Sequence, residues 1–141
     1  MKRSVTLMCL FALFLLLGRT AAFGQPPGAG DVKVEWDAGP PAYPKKVGTD
    51  LKLKGTVTYA NGWSSADGKV YVTIVPTNGG PVLFYILTPD AAGVWALDVP
   101  LATFPSPPKR NYDITPSVQA WKGKGTQAQP VAGPRKTMEL P

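Results

Sequence analysis

Residues 50–59 read Asp50-Leu51-Lys52-Leu53-Lys54-Gly55-Thr56-Val57-Thr58-Tyr59 and alternate in polarity along almost their whole length. The odd positions from Leu51 to Tyr59 are apolar or glycine, and the even positions from Lys52 to Thr58 are polar. Successive side chains of a β-strand point to opposite faces, so this period of two predicts a strand with one buried and one solvated face. No stretch after residue 24 shows the 3.6-residue period of a helix.

Six further segments with strand-like patterns accompany this one. They are residues 32–36, 70–75, 82–87, 95–101, 112–120 and a short final segment that contains Met138 and Leu140. Turn residues such as Asn61-Gly62 and Asp67-Gly68 separate them. About seven short strands, with a turn every 8 to 12 residues or so, predict an all-β domain in which two antiparallel sheets form a sandwich. An up-and-down barrel is the alternative, because the number of strands does not determine their order.

Several local features refine this prediction. We expect Trp63-Ser64-Ser65-Ala66 to be a connection and the polar, glycine-rich residues 122–134 to be a loop. The continuous apolar run at residues 82–87 is compatible with a strand that is covered on both faces. Pro100 predicts that its strand ends early or lies at an edge, and Pro116 predicts a bulge.

The first 24 residues have the layout of a secretory signal peptide. A basic start at residues 1–3 precedes an apolar core at residues 5–17, and Ala22 and Gly24 occupy the two small-residue positions before the predicted cleavage site. A cut after Ala22 is the alternative. The apolar core is shorter than the ~20 residues that a spanning helix needs, so we expect cleavage and no transmembrane anchor after it. The predicted location is periplasmic or extracellular.

Cleavage after residue 24 leaves a predicted flexible leader at residues 25–31 and one β-sandwich domain at residues 32–141. The only cysteine, Cys9, leaves with the signal peptide, so the expected mature chain has no disulfide and depends on apolar burial for stability. Removing residues 1–24 lowers the Lys and Arg count from 15 to 12 against 9 acidic residues, a net charge of +3. These charges are scattered among predicted loops, so we expect no nucleic-acid partner.

Enzymatic activity is not expected. The chain has no histidine, which excludes a Ser-His-Asp or Cys-His nucleophile, an imidazole base and His-ligated zinc. Asp67 precedes a glycine, and Asp90 lies in a turn that ends in glycine, so both are explained as Asx turns. No spacing resembles a calcium loop, a phosphate-binding glycine loop or a cysteine metal site. We therefore predict no catalytic residue, no metal and no cofactor.

Two segments are similar to a known kind of domain. Residues 53–62 with residues 68–72, and later residues 88–97, resemble the strand and turn patterns of bacterial immunoglobulin-like and carboxypeptidase-regulatory-like domains. The resemblance implies an immunoglobulin-like or prealbumin-like sandwich that serves as an accessory, adhesive or spacer module on exported proteins. It brings no catalytic residues. Tyr112, near the start of a late strand, is similar to the tyrosine corner of such sandwiches, with a plain core tyrosine as the alternative.

The aromatic residues supply the candidate site. Alternation places Trp36, Trp95 and Tyr112 on inward faces, which predicts three core anchors. Trp63 lies in a predicted turn, while Trp121 and Tyr71 point outward. These three residues are the candidate platform for stacking on sugars or docking a protein. The alternative is that Trp63 closes the end of the sandwich and Trp121 packs under the loop at residues 122–134.

The function predicted from these observations is a secreted, non-catalytic structural or protein-interaction module. Its expected partner is a protein of the cell envelope or the extracellular space. The alternative is a carbohydrate-binding module whose exposed aromatic residues hold a polysaccharide. Coplanar exposed rings would favour the sugar, whereas an apolar patch continuous with an unpaired strand edge would favour a protein.

Overall fold

A computed structural model describes residues 25–37, 50–104, 110–123 and 125–140, so the predicted signal peptide lies outside the described residues. Eight strands and a single 3-10 turn occur in this part of the chain. The strands are β1 Val32–Trp36, β2 Leu51–Tyr59, β3 Trp63–Pro76, β4 Leu83–Leu87, β5 Val94–Val99, β6 Arg110–Lys122, β7 Gln129–Ala132 and β8 Lys136–Leu140, with the 3-10 turn at Leu101–Thr103.

The strands form two antiparallel sheets that pack against each other. The smaller sheet has the order β1-β2-β5, and the larger has the order β4-β3-β6-β7, with β8 also paired to β6. Buried residues of both sheets form a single core cluster between them. The structure therefore confirms the predicted all-β sandwich.

The strand β2 has the two faces that its sequence predicts. Leu51, Leu53 and Val57 are buried, whereas Lys52 and Lys54 are exposed. The apolar face of β2 contributes to one core cluster shared with the inward residues of both sheets. Because β2 is the central strand of the smaller sheet, its alternation also sets the register of β1 and β5.

Gly55 interrupts this apolar face, and the structure shows why. Gly55 lies directly opposite Trp36 of β1 and Trp95 of β5. The two indole rings meet edge to face, with their centroids 5.4 Å apart and their planes at 64°. A Cβ atom at position 55 would collide with the Trp95 ring and with the carbonyl oxygen of Glu35. A residue without a side chain is therefore required between the two tryptophans.

The turn after β2 joins the two sheets. Asn61 and Gly62 have φ angles of 54° and 83°, and the Trp63 amide donates to the Ala60 carbonyl at 3.0 Å. This geometry belongs to a two-residue turn of the kind that usually joins paired neighbours. Here it forms a corner, because β2 and β3 belong to different sheets.

The strand β3 begins directly after this corner, so the prediction of a connection at Trp63-Ser64-Ser65-Ala66 is wrong. The irregularity lies inside the strand instead, where the pairing with β6 shifts between Ser65 and Val70. The Gly68 amide donates to Ser65 Oγ at 2.7 Å, and the Lys69 amide donates to Asp67 Oδ1 at 3.0 Å. The polar residues that suggested a loop therefore stabilise a bulge.

The predicted loop at residues 122–134 contains an eighth strand, β7. β7 and β8 pair with successive parts of the same strand, β6. Between them, the Gly133 amide donates to the Pro116 carbonyl at 2.8 Å, and a Cβ on Gly133 would lie only 2.7 Å from the Val34 carbonyl oxygen. Pro116 itself stays in register with Val72, so the predicted bulge at Pro116 is wrong. The interruption lies on the other side of β6, between β7 and β8.

Two short strands, β5 and β4, lie at the open edges of the sheets. The sequence predicts the position of β5 correctly but not the cover of β4. β5 ends at Val99, just before Pro100, and lies at an edge of the smaller sheet, as predicted. β4 lies at an edge of the larger sheet, and Phe84 and Ile86 on one of its faces are exposed. The apolar run at residues 82–87 is thus covered on one face only.

Substitution Gly55→Ala is expected to lower the free energy of unfolding by about 3 kcal/mol, because the added methyl group overlaps the Trp95 ring and forces β1 or β5 to move. Urea unfolding followed by tryptophan fluorescence measures the change. Thr58→Ala, on the solvated face of the same strand, is the control and should cost less than about 1 kcal/mol. Equal costs for the two substitutions would contradict the steric requirement at position 55.

Candidate functional site

The three predicted core anchors lie in or against the core. Trp95 and Tyr112 are 1% and 3% exposed. Tyr112 packs edge to face on Phe104, with 5.1 Å between the ring centroids. Trp36 is half-buried, and its Nε1 donates to the Pro134 carbonyl at 2.7 Å. This bond fastens β1 to the segment between β7 and β8.

Trp63 does not lie on an exposed surface. It is the first residue of β3, points inward and is only 7% exposed. The expectation of an exposed ring at Trp63 is wrong, because the preceding turn ends at Gly62 and the strand alternation already applies at the next residue. Its position agrees with the alternative, in which the ring closes the end of the sandwich.

Tyr71 and Trp121 do point outward from the larger sheet, and both are half-buried. Tyr71 pairs with Ser117, and Trp121 lies four residues further along β6. At the usual rise per residue of a strand, the backbones of Tyr71 and Trp121 are about 13 Å apart. With Trp63 on the opposite face, the three predicted platform residues do not form one cluster.

A different set of residues forms a continuous exposed surface. Phe84 and Ile86 on β4 pair with Thr73 and Tyr71 on β3, and the Tyr71 and Phe84 rings stack with 5.8 Å between centroids. We call this surface the β3–β4 outer face, and its members are Tyr71, Val75, Val82, Phe84 and Ile86. Val82, Phe84 and Ile86 are each more than half exposed, and Val75 is 40% exposed.

The position of the β3–β4 outer face gives it a second property. In the part of the chain that the structure describes, β4 pairs only with β3, so the other side of β4 presents unpaired backbone groups. Natural edge strands are usually protected by charged residues, proline or a bulge. β4 reads Leu83-Phe84-Tyr85-Ile86-Leu87 and has none of these. An apolar patch is therefore continuous with an unprotected strand edge.

The amino-acid pattern does not single out the exposed residues of β4. The run at residues 82–87 is apolar at both odd and even positions, so alternation does not say which face is covered. The absence of any charge from the run was the available signal, because an edge strand without charge is unusual.

Polar residues border the β3–β4 outer face and orient Tyr71. The Tyr71 hydroxyl donates a short hydrogen bond to Asp67, and Lys69 Nζ donates to Thr88 Oγ1 at 2.7 Å. The pKa of Tyr71 is raised above its ordinary value of 10.0, mainly because the protonated hydroxyl donates to Asp67. Asp67 thus acts as a positioning residue for the ring that stacks on Phe84.

The described residues contain no group of three or more His, Cys, Asp and Glu that could hold a metal ion. None of the helical segments in the same residues is long and apolar enough to cross a bilayer. No family model, curated protein or solved structure matches the chain. The resemblance to immunoglobulin-like and carboxypeptidase-regulatory-like domains stays a prediction.

Substitution Trp63→Ala is expected to lower the free energy of unfolding by about 3–5 kcal/mol, because it removes a buried ring from the end of the core. Trp121→Ala, at a half-buried outward position, should cost about 1 kcal/mol. Chemical denaturation monitored by circular dichroism compares the two variants. A cost for Trp121→Ala as large as that for Trp63→Ala would mean that both rings are core residues.

The hydroxyl of Tyr71 is expected to lose its proton only above pH 10.0, the ordinary pKa. Because the folded state holds this proton more tightly than the unfolded state, the interaction stabilises the fold below that pH and is lost as the pH rises through the raised pKa. Tyrosinate absorbance, with Tyr71→Phe subtracted, follows this single group. Asp67→Ala should lower the pKa of Tyr71, whereas Asp98→Ala on the other sheet should leave it unchanged.

Proposed function

We propose that the protein is an exported, non-catalytic protein-interaction module, and that its partner supplies an extended segment that pairs with β4. The observation that carries this proposal is the continuity between the exposed side chains Phe84 and Ile86 and the unpaired edge of the same strand. A strand added at a sheet edge gains affinity from backbone hydrogen bonds and specificity from alternate side chains. β4 presents unpaired backbone groups and exposed side chains at the same edge.

The side chains on β4 also define the chemistry of the partner segment. On the outer side, an added strand would extend the surface formed by Phe84 and Ile86. On the inner side, it would lie beside Leu83, Tyr85 and Leu87, which pack against the core but are only half-buried. A segment with apolar side chains at both odd and even positions is therefore the best match, since it removes apolar surface from water on both faces.

The same surface argues against a polysaccharide as its ligand. Sugar recognition needs hydrogen-bonding side chains beside the aromatic rings. The four aliphatic and phenyl members of the β3–β4 outer face have no such groups. The polar groups beside them are already bonded, the Tyr71 hydroxyl to Asp67, Lys69 Nζ to Thr88 Oγ1 and Thr73 Oγ1 to the Thr115 carbonyl. Trp63, which the sugar-platform hypothesis required to be exposed, is buried.

The strand order supports an immunoglobulin-like relation within this proposal. With the first seven strands numbered in sequence, the constant-type immunoglobulin order is 1-2-5-4 on one sheet and 3-6-7 on the other. The order here, β1-β2-β5 and β4-β3-β6-β7, differs by the transfer of the fourth strand to the second sheet. The fourth strand lies at an edge in both orders, and the transfer pairs it with β3 and leaves β5 as the edge of the smaller sheet. The signal-peptide pattern at residues 1–24 supports export, so the proposed partner is an envelope or extracellular protein.

The proposal is tested by photo-cross-linking in the cells that produce the protein. A benzophenone amino acid replaces Phe84 on the β3–β4 outer face or, as a matched control, Thr58 on the exposed face of β2. We expect a discrete protein adduct from position 84 and none from position 58. Ile86→Glu should abolish the adduct without changing the circular dichroism spectrum, because a charge at this position has to be desolvated when the partner binds.

The mass of the adduct identifies the occupant. If the mass added by cross-linking differs from the mass of this chain, the partner is a different protein, as proposed. An adduct of twice the chain's mass identifies a second copy, and no adduct, or equal adducts from positions 84 and 58, would overturn the proposed interaction.

A further inference from the structure

Two asparagines of the chain are followed by glycine, and both lie between strands. Asn61-Gly62 forms the corner between β2 and β3, and Asn78-Gly79 lies in the connection from β3 to β4. The third asparagine, Asn111, lies in β6 and precedes a tyrosine. Glycine has no side chain to shield its backbone nitrogen, so this nitrogen can reach the side-chain carbonyl carbon of a preceding asparagine. The chain therefore has two dipeptides in which asparagine can lose its amide group spontaneously.

The reaction needs no enzyme and consumes one molecule of water. The backbone nitrogen of the glycine attacks Cγ of the asparagine, so a bond from this nitrogen to Cγ forms and the bond from Cγ to Nδ2 breaks. Nδ2 leaves as ammonia with the proton that the backbone nitrogen gives up, and a five-membered succinimide ring remains. Water then opens the ring to aspartate or isoaspartate, which adds one negative charge to the chain at neutral pH.

The structure restrains the side chain of Asn61. Its Nδ2, which is the leaving nitrogen of this reaction, donates to Asp31 Oδ1 at 2.7 Å. This bond is the main reason that the pKa of Asp31 is lowered, so the acceptor is an ionised carboxylate. Loss of Nδ2 from Asn61 would therefore cost a charge-assisted hydrogen bond and would place a second carboxylate beside Asp31.

The side chain of Asn78 has no comparable restraint. It is exposed and makes no hydrogen bond among the residues that the structure describes. The Gly79 amide, which is the attacking group, donates to the Pro76 carbonyl, but at 3.4 Å this bond is longer than the usual range of about 2.7–3.2 Å. Gly80 follows, and two successive glycines widen the range of backbone conformations that this connection can reach.

We propose that Asn78 is a site of spontaneous deamidation, and that the hydrogen bond to Asp31 keeps Asn61 intact although both asparagines precede glycine. The product at position 78 carries a negative charge in the connection that leads into β4, a strand without a charged residue. Isoaspartate also adds one carbon atom to the main chain at this position. The inference rests on the two Asn-Gly dipeptides alone and does not depend on the partner proposed for β4.

The test is peptide mapping of the folded protein during incubation at mildly alkaline pH. Trypsin cuts after lysine and arginine, so Asn61 falls within residues 55–69 and Asn78 within residues 70–109, and neither peptide contains another amide side chain. Mass spectrometry measures the mass increase that accompanies replacement of NH2 by OH. We expect this increase to be at least about tenfold faster in residues 70–109 than in residues 55–69.

A variant and an unfolded control separate the effect of the fold from that of the sequence. Asp31→Ala should accelerate deamidation of Asn61 about tenfold, because its side chain loses the charged acceptor. Asp98→Ala, at an exposed position of β5, should leave this rate unchanged. Circular dichroism verifies that both variants are folded. In urea, where neither connection keeps its native structure, Asn61 and Asn78 of the original chain should react at equal rates.

Four results would overturn the proposal. In the folded protein, these are the absence of a mass increase from residues 70–109 and a rate at Asn61 equal to the rate at Asn78. A third is an unchanged rate at Asn61 in folded Asp31→Ala, which would mean that the hydrogen bond does not protect this side chain. The fourth is a rate difference that persists in urea, because the neighbouring sequence and not the fold would then set it.

Discussion

The contact between Trp36 and Trp95 across Gly55 is the constraint on which the rest of the structure depends. The chain has a single cysteine and therefore no internal disulfide, so apolar packing has to hold the two sheets together. The Trp36–Gly55–Trp95 row aligns all three strands of the smaller sheet, because a one-residue slip of β1 or β5 would bring a tryptophan against a side chain. The bond from Trp36 Nε1 to the Pro134 carbonyl then ties this row to the larger sheet.

The unequal size of the two sheets explains where the proposed interaction surface lies. The smaller sheet has three strands and ends at β5, and among the described residues β4 is the end strand of the larger sheet and pairs only with β3. The inward residues of β4 are consequently half-buried, and its outward residues are exposed. The hydrogen bond between Asp31 and Asn61 arises from a different feature, the Asn61-Gly62 corner, which brings the start of β1 beside the start of β3.

Prediction from the sequence succeeded where the relevant interaction is local. The alternation in β2, the end of β5 before Pro100, and the Asx turns follow from backbone geometry within a few residues, and Asp90 Oδ1 indeed accepts from the Ala92 and Val94 amides at 2.9 Å. Prediction failed at Trp63 and β7. At both positions polar, glycine-rich sequence suggested a loop, while pairing with β6 supplied the hydrogen bonds that made a strand.

The amino-acid pattern alone determines the β class, the approximate number of strands and the inward faces that carry Trp95 and Tyr112. It can do so because a period of two is a property of neighbouring residues. Only the tertiary structure assigns each strand to a sheet, leaves β4 at an edge, buries Trp63 and places Asp31 beside Asn61. These outcomes depend on pairing between residues far apart in the chain, and the composition of a single strand does not contain that information. The surface and the hydrogen bond on which the proposals rest therefore belong to the packed molecule and not to any one segment.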